Sequence, residues 1–178
     1  MPVSDLHREV AAVALQAAAR HGFALGGGNA LIAHGVIDRP TEDVDLFTDR
    51  EHGVPAAADA VEAALRQAGY TAERQGKTAG LSEVFEGMGD GLAEWIITTP
   101  DGRQVMLQMA YFDRGQQPVL MEFGPVLDLG DVIGGKVCAL ASRAVERDYI
   151  DVAAVLVRGY SASPRRWSRP RQPLPQAR

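Results

Sequence analysis

Residues 41–49 read TEDVDLFTD. Arg39-Pro40 just before them forces an extended approach, and the mixture of Val44, Leu46, Phe47 and Thr48 predicts a strand over DVDLFT, 43–48. In a strand, residues i and i+2 share a face, so Asp43 and Asp45 point one way while Val44 and Leu46 point the other. Aspartate is depleted in strands, and two carboxylates roughly 7 Å or less apart repel unless something positive lies between them. A hard cation such as Mg²⁺ answers that repulsion, because it takes oxygen ligands and needs only one or two carboxylates from the protein. A wet face at a sheet edge is the other reading, and the pair alone leaves both open.

Working outward, FAL (23–25) reads as a short buried strand, and GGGNALIAHGVI after it as a Gly-rich turn opening a short helix that stops near Gly35. Upstream, Ser4-Asp5 forms an N-cap with a favourable first-turn charge, and apolar positions 6, 10, 13 and 14 predict a helix over about 4–20. Downstream, VPAAADAVEAALRQAG (54–69) has helical period with Gly69 as its stop. YTAERQ, LSEVFEGM, LAEWIITT and RQVMLQMAYF then alternate as hairpin strands, the last two joined through Pro100-Asp101-Gly102. DVIGGKVCALASR and ERDYIDVAAVLVR return to helix. The pattern predicts an α+β fold, a small mixed sheet flanked by helices with a C-terminal helical pair. It divides into a core over 1–125, a helical segment over 126–158 that completes the site, and a tail over 159–178.

The bulk numbers exclude several classes. With 178 residues, 46% apolar and 23% charged, the chain reads as a soluble domain with a genuine core. Its longest apolar stretch, VAAVALQAAA from Val10, is too short for a membrane span and carries an acidic lead-in unlike a signal peptide. The single cysteine, Cys138, cannot form an internal disulfide, so a cytoplasmic location is expected. Four scattered histidines offer no zinc spacing. Net charge is −5, yet six arginines and no acid lie between 158 and 178, which leaves −11 on residues 1–157. A phosphate-rich partner would therefore have to meet a local cationic surface, a bound metal or the Pro/Arg/Ser-rich tail, which reads as disordered.

Two further stretches bear on the Asp pair. Gly26, Gly27 and Gly28 lie between strand and helix, where backbone N–H groups can cradle phosphate oxygens with no Cβ in the way. No GK[ST] follows, so this is not a P-loop. A dinucleotide fingerprint is also weighed, but its third glycine position holds Leu31 and one ribose acid would not explain two aspartates. In KVCALASRAVERDYID, Lys136, Leu140, Arg143, Arg147 and Asp151 fall near one stripe if the helix is continuous. Three cations there suit a triphosphate, with Asp148 and Asp151 orienting them or shaping a metal site; a solvated face of ordinary ion pairs is the alternative.

Together, ALGGGNAL, DVDLF and Lys136-x6-Arg143-x3-Arg147-Asp148-x2-Asp151 resemble the nucleotidyltransferase superfamily, and within it the AbiEii/AbiGii-type toxins, including the MenT-like toxins that modify tRNA. The likeness covers most of residues 20–157. It implies a metal-dependent enzyme in which Asp43 and Asp45 hold Mg²⁺ or Mn²⁺ and an NTP is the substrate. It places Gly27, Gly28, Asn29, Arg39, Lys136, Arg143, Arg147 and Asp148 around the nucleotide, with Asp43, Asp45, Lys136 and Asp151 as the catalytic set. An acceptor hydroxyl, in the tRNA-modifying members the 3′ end of tRNA, attacks in line and translation is blocked. The implied partners are tRNA and a cognate antitoxin, of the kinase type where Thr41 is phosphorylated, and no membrane. Other acceptors remain open, an aminoglycoside-like small molecule or a protein side chain, as does a nucleotide-binding protein without catalysis.

Two positions depart from the pattern. Many superfamily members carry a third carboxylate on a neighbouring strand; RQVMLQMAYF offers Gln108 instead, leaving Asp151 or the metal alone to stand in. Asn29 occupies a position where Ser or Thr is common after the glycines.

Overall fold

The computed structural model describes residues 3–75, 91–143 and 145–160. Helix α1 (Asp5–Ala17) begins where the Ser4 hydroxyl accepts a hydrogen bond from the His7 backbone N–H, the cap its sequence predicts. A 3₁₀ turn at Ala19–His21 follows, and Gly22 ends it at φ +68°. Strand β1 is only Ala24–Leu25; α2 (Gly27–Ala33) and β2 (Asp43–Thr48) come next, then α3 (Gly53–Gln67). Strands β3 (Thr71–Arg74), β4 (Leu92–Thr98) and β5 (Gln104–Tyr111) form a meander. LSEVFEGM, expected as a strand, lies outside the described residues.

Two short strands that the sequence reading does not anticipate, β6 (Val119–Met121) and β7 (Gly124–Val126), precede α4 (Leu129–Arg143) and α5 (Glu146–Val157). Seven strands make one mixed sheet in the order β3-β4-β5-β2-β1-β7-β6. The β2–β5 and β1–β7 pairs are parallel and the others antiparallel. The alternation along β2 decides everything around it. Val44 and Leu46 are fully buried beneath α1 and α3, together with Trp95, Ile97, Leu107 and Met109 from the neighbouring strands. Asp43, Asp45 and Phe47 are half-buried on the opposite face, where α2 and α4 pack.

The C-terminal helical pair forms as expected. The cation stripe does not run along a continuous helix, because α4 stops at Arg143 and Val145 is extended (φ −75°, ψ 143°) before α5 starts. Alanine, arginine and glutamate would all have continued a helix, so local propensity does not impose this break. What accompanies it is a set of ion pairs between α4 and α5 that folds the second helix back on the first.

Candidate active site

Strand β2 and the turn before α2 are built against each other. The Gly26 N–H donates to the Asp45 carbonyl at 2.8 Å, and Gly27 then takes φ +58° directly over the Asp45 side chain. A Cβ at Gly27 would lie 1.7 Å from Asp45 Oδ2, and one at Gly28 would lie 2.5 Å from Thr41 Cγ2. Glycine is required at Gly27 twice over, for its left-handed backbone and for the space that the carboxylate occupies.

The Asn29 side chain turns into the fold. It is 1% exposed; Nδ2 donates to the Asp43 carbonyl at 2.7 Å and Oδ1 accepts from the Thr41 hydroxyl at 2.7 Å. Both ends of the amide are engaged inside the fold, so Asn29 fixes the start of β2 and the Thr41 rotamer rather than meeting phosphate.

The C-terminal helices supply the opposite wall. Asp148 and Asp151 on α5 are wholly buried, and each gathers cations. Asp151 receives a forked contact from Arg39 (Nε to Oδ1 2.9 Å, one terminal nitrogen to Oδ2 2.8 Å) and lies 2.8 Å from Lys136 Nζ. Asp148 receives a second fork from Arg143 (2.8 and 3.2 Å) and lies 3.4 Å from Lys136. Burial pushes the Asp148 carboxyl up, but the Arg143 hydrogen bond and the charges of Lys136 and Arg143 outweigh it and hold it below its ordinary value. Three cations over two carboxylates leave one positive charge, and all three side chains border the cavity. Arg147, the first turn of α5, reaches across to Asp43 Oδ2 at 3.3 Å and Glu42 at 3.6 Å.

These groups border a cavity of about 410 Å³, of the size that small-molecule sites have. Gly27, Gly28, Arg39, Thr41, Asp43, Asp45, Gln108, Lys136, Arg143 and Arg147 line it, and Phe47, Ala110, Phe112, Leu127, Val132 and Ala139 form its apolar part. Asn29, Asp148 and Asp151 do not line it. Asp148 therefore stands behind the cation wall rather than in it. Asp151, with both oxygens held by Arg39 and Lys136, is not placed to replace a third carboxylate beside Asp43 and Asp45.

Burial, and secondarily the charge of Asp43, raise the Asp45 carboxyl from its ordinary 3.8 to about 6. Two crowded carboxylates with hard oxygen donors are the environment a divalent cation relieves. Among the described residues no cluster of three or more His, Cys, Asp or Glu could by itself enclose a metal, so any ion here would share its ligands with substrate oxygens and water.

Sequence reasoning misses one polar residue of this face. Glu94 on β4 is 8% exposed and accepts a 2.8 Å hydrogen bond from Gln108 Nε2. Only strand pairing brings it here, and one-dimensional spacing carries no sign of that.

Comparison with known proteins agrees with the geometry. Similar solved structures include JHP933 from Helicobacter pylori (18% identity, 88% of this chain and 68% of that one, TM-score 0.61). MenT4, a nucleotidyltransferase toxin from Mycobacterium tuberculosis H37Rv, superposes with TM-score 0.63 at 14% identity over 88% of this chain. The chain spans 59% of the length of MenT4, and at these identities the likeness establishes the fold. No curated protein matches. A family model described as nucleotidyl transferase AbiEii toxin, type IV toxin–antitoxin system, matches residues 10–168, beyond the 20–157 over which the motifs alone suggest the likeness. With the Asp pair, the glycine turn and the cation wall around one cavity, this chain belongs to the AbiEii family of nucleotidyl transferase toxins.

Proposed function

We propose that the chain is a metal-dependent toxin that transfers NMP from an NTP to an acceptor hydroxyl, with the 3′ end of tRNA as the acceptor. One observation carries the reading: Asp43 and Asp45 face Arg39, Lys136, Arg143 and Arg147 across a single cavity, with Gly27 and Gly28 at its edge. An anionic substrate fits between a paired-carboxylate wall and a cationic wall only if a cation screens the first. Asp43 and Asp45 would hold that cation, Mg²⁺ or Mn²⁺, which when bound neutralises charge on the phosphates and polarises the α-phosphorus. Lys136, Arg39 and Arg143 face the β- and γ-phosphates, held in place by Asp148 and Asp151, and offset the charge of departing pyrophosphate. Arg147, paired with Asp43 here, exchanges that contact for phosphate. The acceptor oxygen bonds to the α-phosphorus as the bridging bond to pyrophosphate breaks, and the hydroxyl proton leaves to water.

The tRNA acceptor is supported by the sequence likeness to tRNA-modifying toxins and by the six arginines from 158 onward. The −11 on residues 1–157 favours a second reading, the same transfer to a cationic small molecule or a protein side chain. Membership of a type IV toxin–antitoxin family implies an antitoxin partner. We read Thr41 as the point where a kinase-type antitoxin would act. Thr41 lines the cavity and its hydroxyl donates to Asn29; a phosphate there would break that bond and add roughly two negative charges near Asp43. No helix among the described residues is long and apolar enough to cross a membrane.

The test is incubation with each labelled NTP, Mg²⁺ and total tRNA, alongside Asp43→Ala. Label enters tRNA with the native chain and not with the variant. Native protein that binds NTP but labels no tRNA removes the acceptor assignment, and label reaching a polycation or protein instead selects the second reading.

A further inference from the structure

The strand register puts a hydrogen-bonded pair where a third carboxylate is missing. In the parallel β2–β5 pairing Gln108 stands directly opposite Asp45, and in the antiparallel β4–β5 pairing Glu94 stands directly opposite Gln108. Because β5 lies between β4 and β2, Asp45, Gln108 and Glu94 form a row across the cavity face of the sheet. Gln108 Nε2 donates to Glu94 Oε1 at 2.8 Å and also touches Met106 Sδ at 3.3 Å. A carboxylate offers acceptor oxygens, so the amide must turn its NH₂ toward Glu94. Its carbonyl oxygen is thereby turned away from Glu94, in a side chain that lines the cavity.

We propose that Gln108 receives the acceptor hydroxyl, accepting its hydrogen bond at Oε1, and that Glu94 is the positioning residue that fixes which way the amide points. The proposal deepens the nucleotidyl transfer described above and rests on it. The amide takes no proton. It aims the oxygen lone pair at the α-phosphorus while the proton leaves to water, and it adds an acceptor beside Asp43 and Asp45 without a third negative charge. Glu94, buried and outside the cavity lining, acts on the reaction through that amide.

The experiment compares the native chain with Gln108→Leu, Glu94→Gln and the exchanged pair Glu94→Gln/Gln108→Glu, using Asp43→Ala as the inactive reference and total tRNA with the NTP the native chain uses. Gln108→Leu lowers kcat about 100-fold and leaves NTP binding unchanged. In Glu94→Gln an amide faces an amide and either can donate, so Gln108 loses its fixed orientation; kcat falls roughly tenfold while thermal stability stays near native. The exchanged pair restores a donor at 94 and an acceptor at 108, and its rate returns to within a few-fold of native. It also gains an acidic limb in its rate against pH, because position 108 now titrates. A purely structural role would restore stability in the exchanged pair but not rate. Native rates in Gln108→Leu and Glu94→Gln, with Asp43→Ala inactive, overturn this proposal and leave the nucleotidyl transfer intact. A native chain that transfers to nothing overturns both. If Gln108→Leu fails to fold, Glu94→Gln and the exchanged pair decide.

Discussion

Asp45 is the residue on which folding and function pull in opposite directions. Its carboxyl is raised to about 6 by burial and by Asp43, so between about pH 4 and pH 6 the folded chain binds a proton that the unfolded chain has released. Stability therefore falls as pH rises through that window, and above about 6 the full penalty applies, on the order of 2–3 kcal/mol. Asp45→Asn removes the penalty. Without divalent metal, its unfolding free energy matches the native chain near pH 4 and exceeds it by that amount at pH 7 in urea titrations. Adding Mg²⁺ stabilises the native chain and not the variant; equal responses of the two would show that Asp45 does not hold the ion. Beside it, Gly27→Ala forces a Cβ into the space of Asp45 Oδ2 at φ +58°, so we expect a loss of about 1–3 kcal/mol together with the Mg²⁺ response. Thr41→Glu tests charge at the neighbouring position: NTP affinity falls at least tenfold, and an unimpaired Thr41→Glu enzyme would remove the phosphorylation reading.

At the scale of elements, the break between α4 and α5 decides which residues meet. A continuous helix would carry Asp148 and Asp151 away from Lys136; folded back, α5 buries both and makes them the sockets of the cation wall. Asp151→Asn leaves Lys136 and Arg39 facing a neutral group. Because Arg39 keeps 26% of its side-chain surface exposed, we expect about 2–3 kcal/mol of destabilisation rather than the larger loss of a fully enclosed pair, together with weakened NTP binding. Arg147→Ala, which removes a side chain that is 39% exposed, changes stability by less than about 1 kcal/mol yet weakens NTP binding as strongly. Urea unfolding beside nucleotide titration separates the two. The cations were legible in sequence as residue types, and so was the helical pair; which carboxylate each cation takes was not, since the ion pairs between the two helices are tertiary and leave no sign in one-dimensional spacing. Strands β6 and β7 escaped for a related reason. Three residues each, with Pro125 inside β7 and Gly124 at φ +129°, are too short for a period to show. The Asp-x-Asp strand was legible because its two periodic faces demand opposite things, Val44 and Leu46 burial, Asp43 and Asp45 a counter-charge.

Over the whole molecule, charge is divided between a strongly acidic body and an arginine-rich end, and an RNA acceptor must be reconciled with both. In the proposed reaction a cation admits the triphosphate to the cavity, but the large polyanion of tRNA would meet −11 on residues 1–157 before reaching it. The arginines after residue 157 are the available counterweight, and the family match ends at residue 168, so three of them, Arg169, Arg171 and Arg178, lie beyond it. Deleting residues 169–178 removes those three charges while leaving every residue of the cavity and the family match in place. If the arginines contact tRNA phosphates, the shortened chain keeps its NTP affinity, while its KM for tRNA rises several-fold at physiological salt. The dependence of log KM on log salt also flattens by about two to three units, since each of the three lost phosphate contacts removes about 0.7–0.9. Transfer measured between 50 and 300 mM salt reads both quantities at once. Coincident salt curves for the two chains would mean that this end does not touch the acceptor, and the acidic body would then point to the cationic small molecule or protein side chain as the substrate.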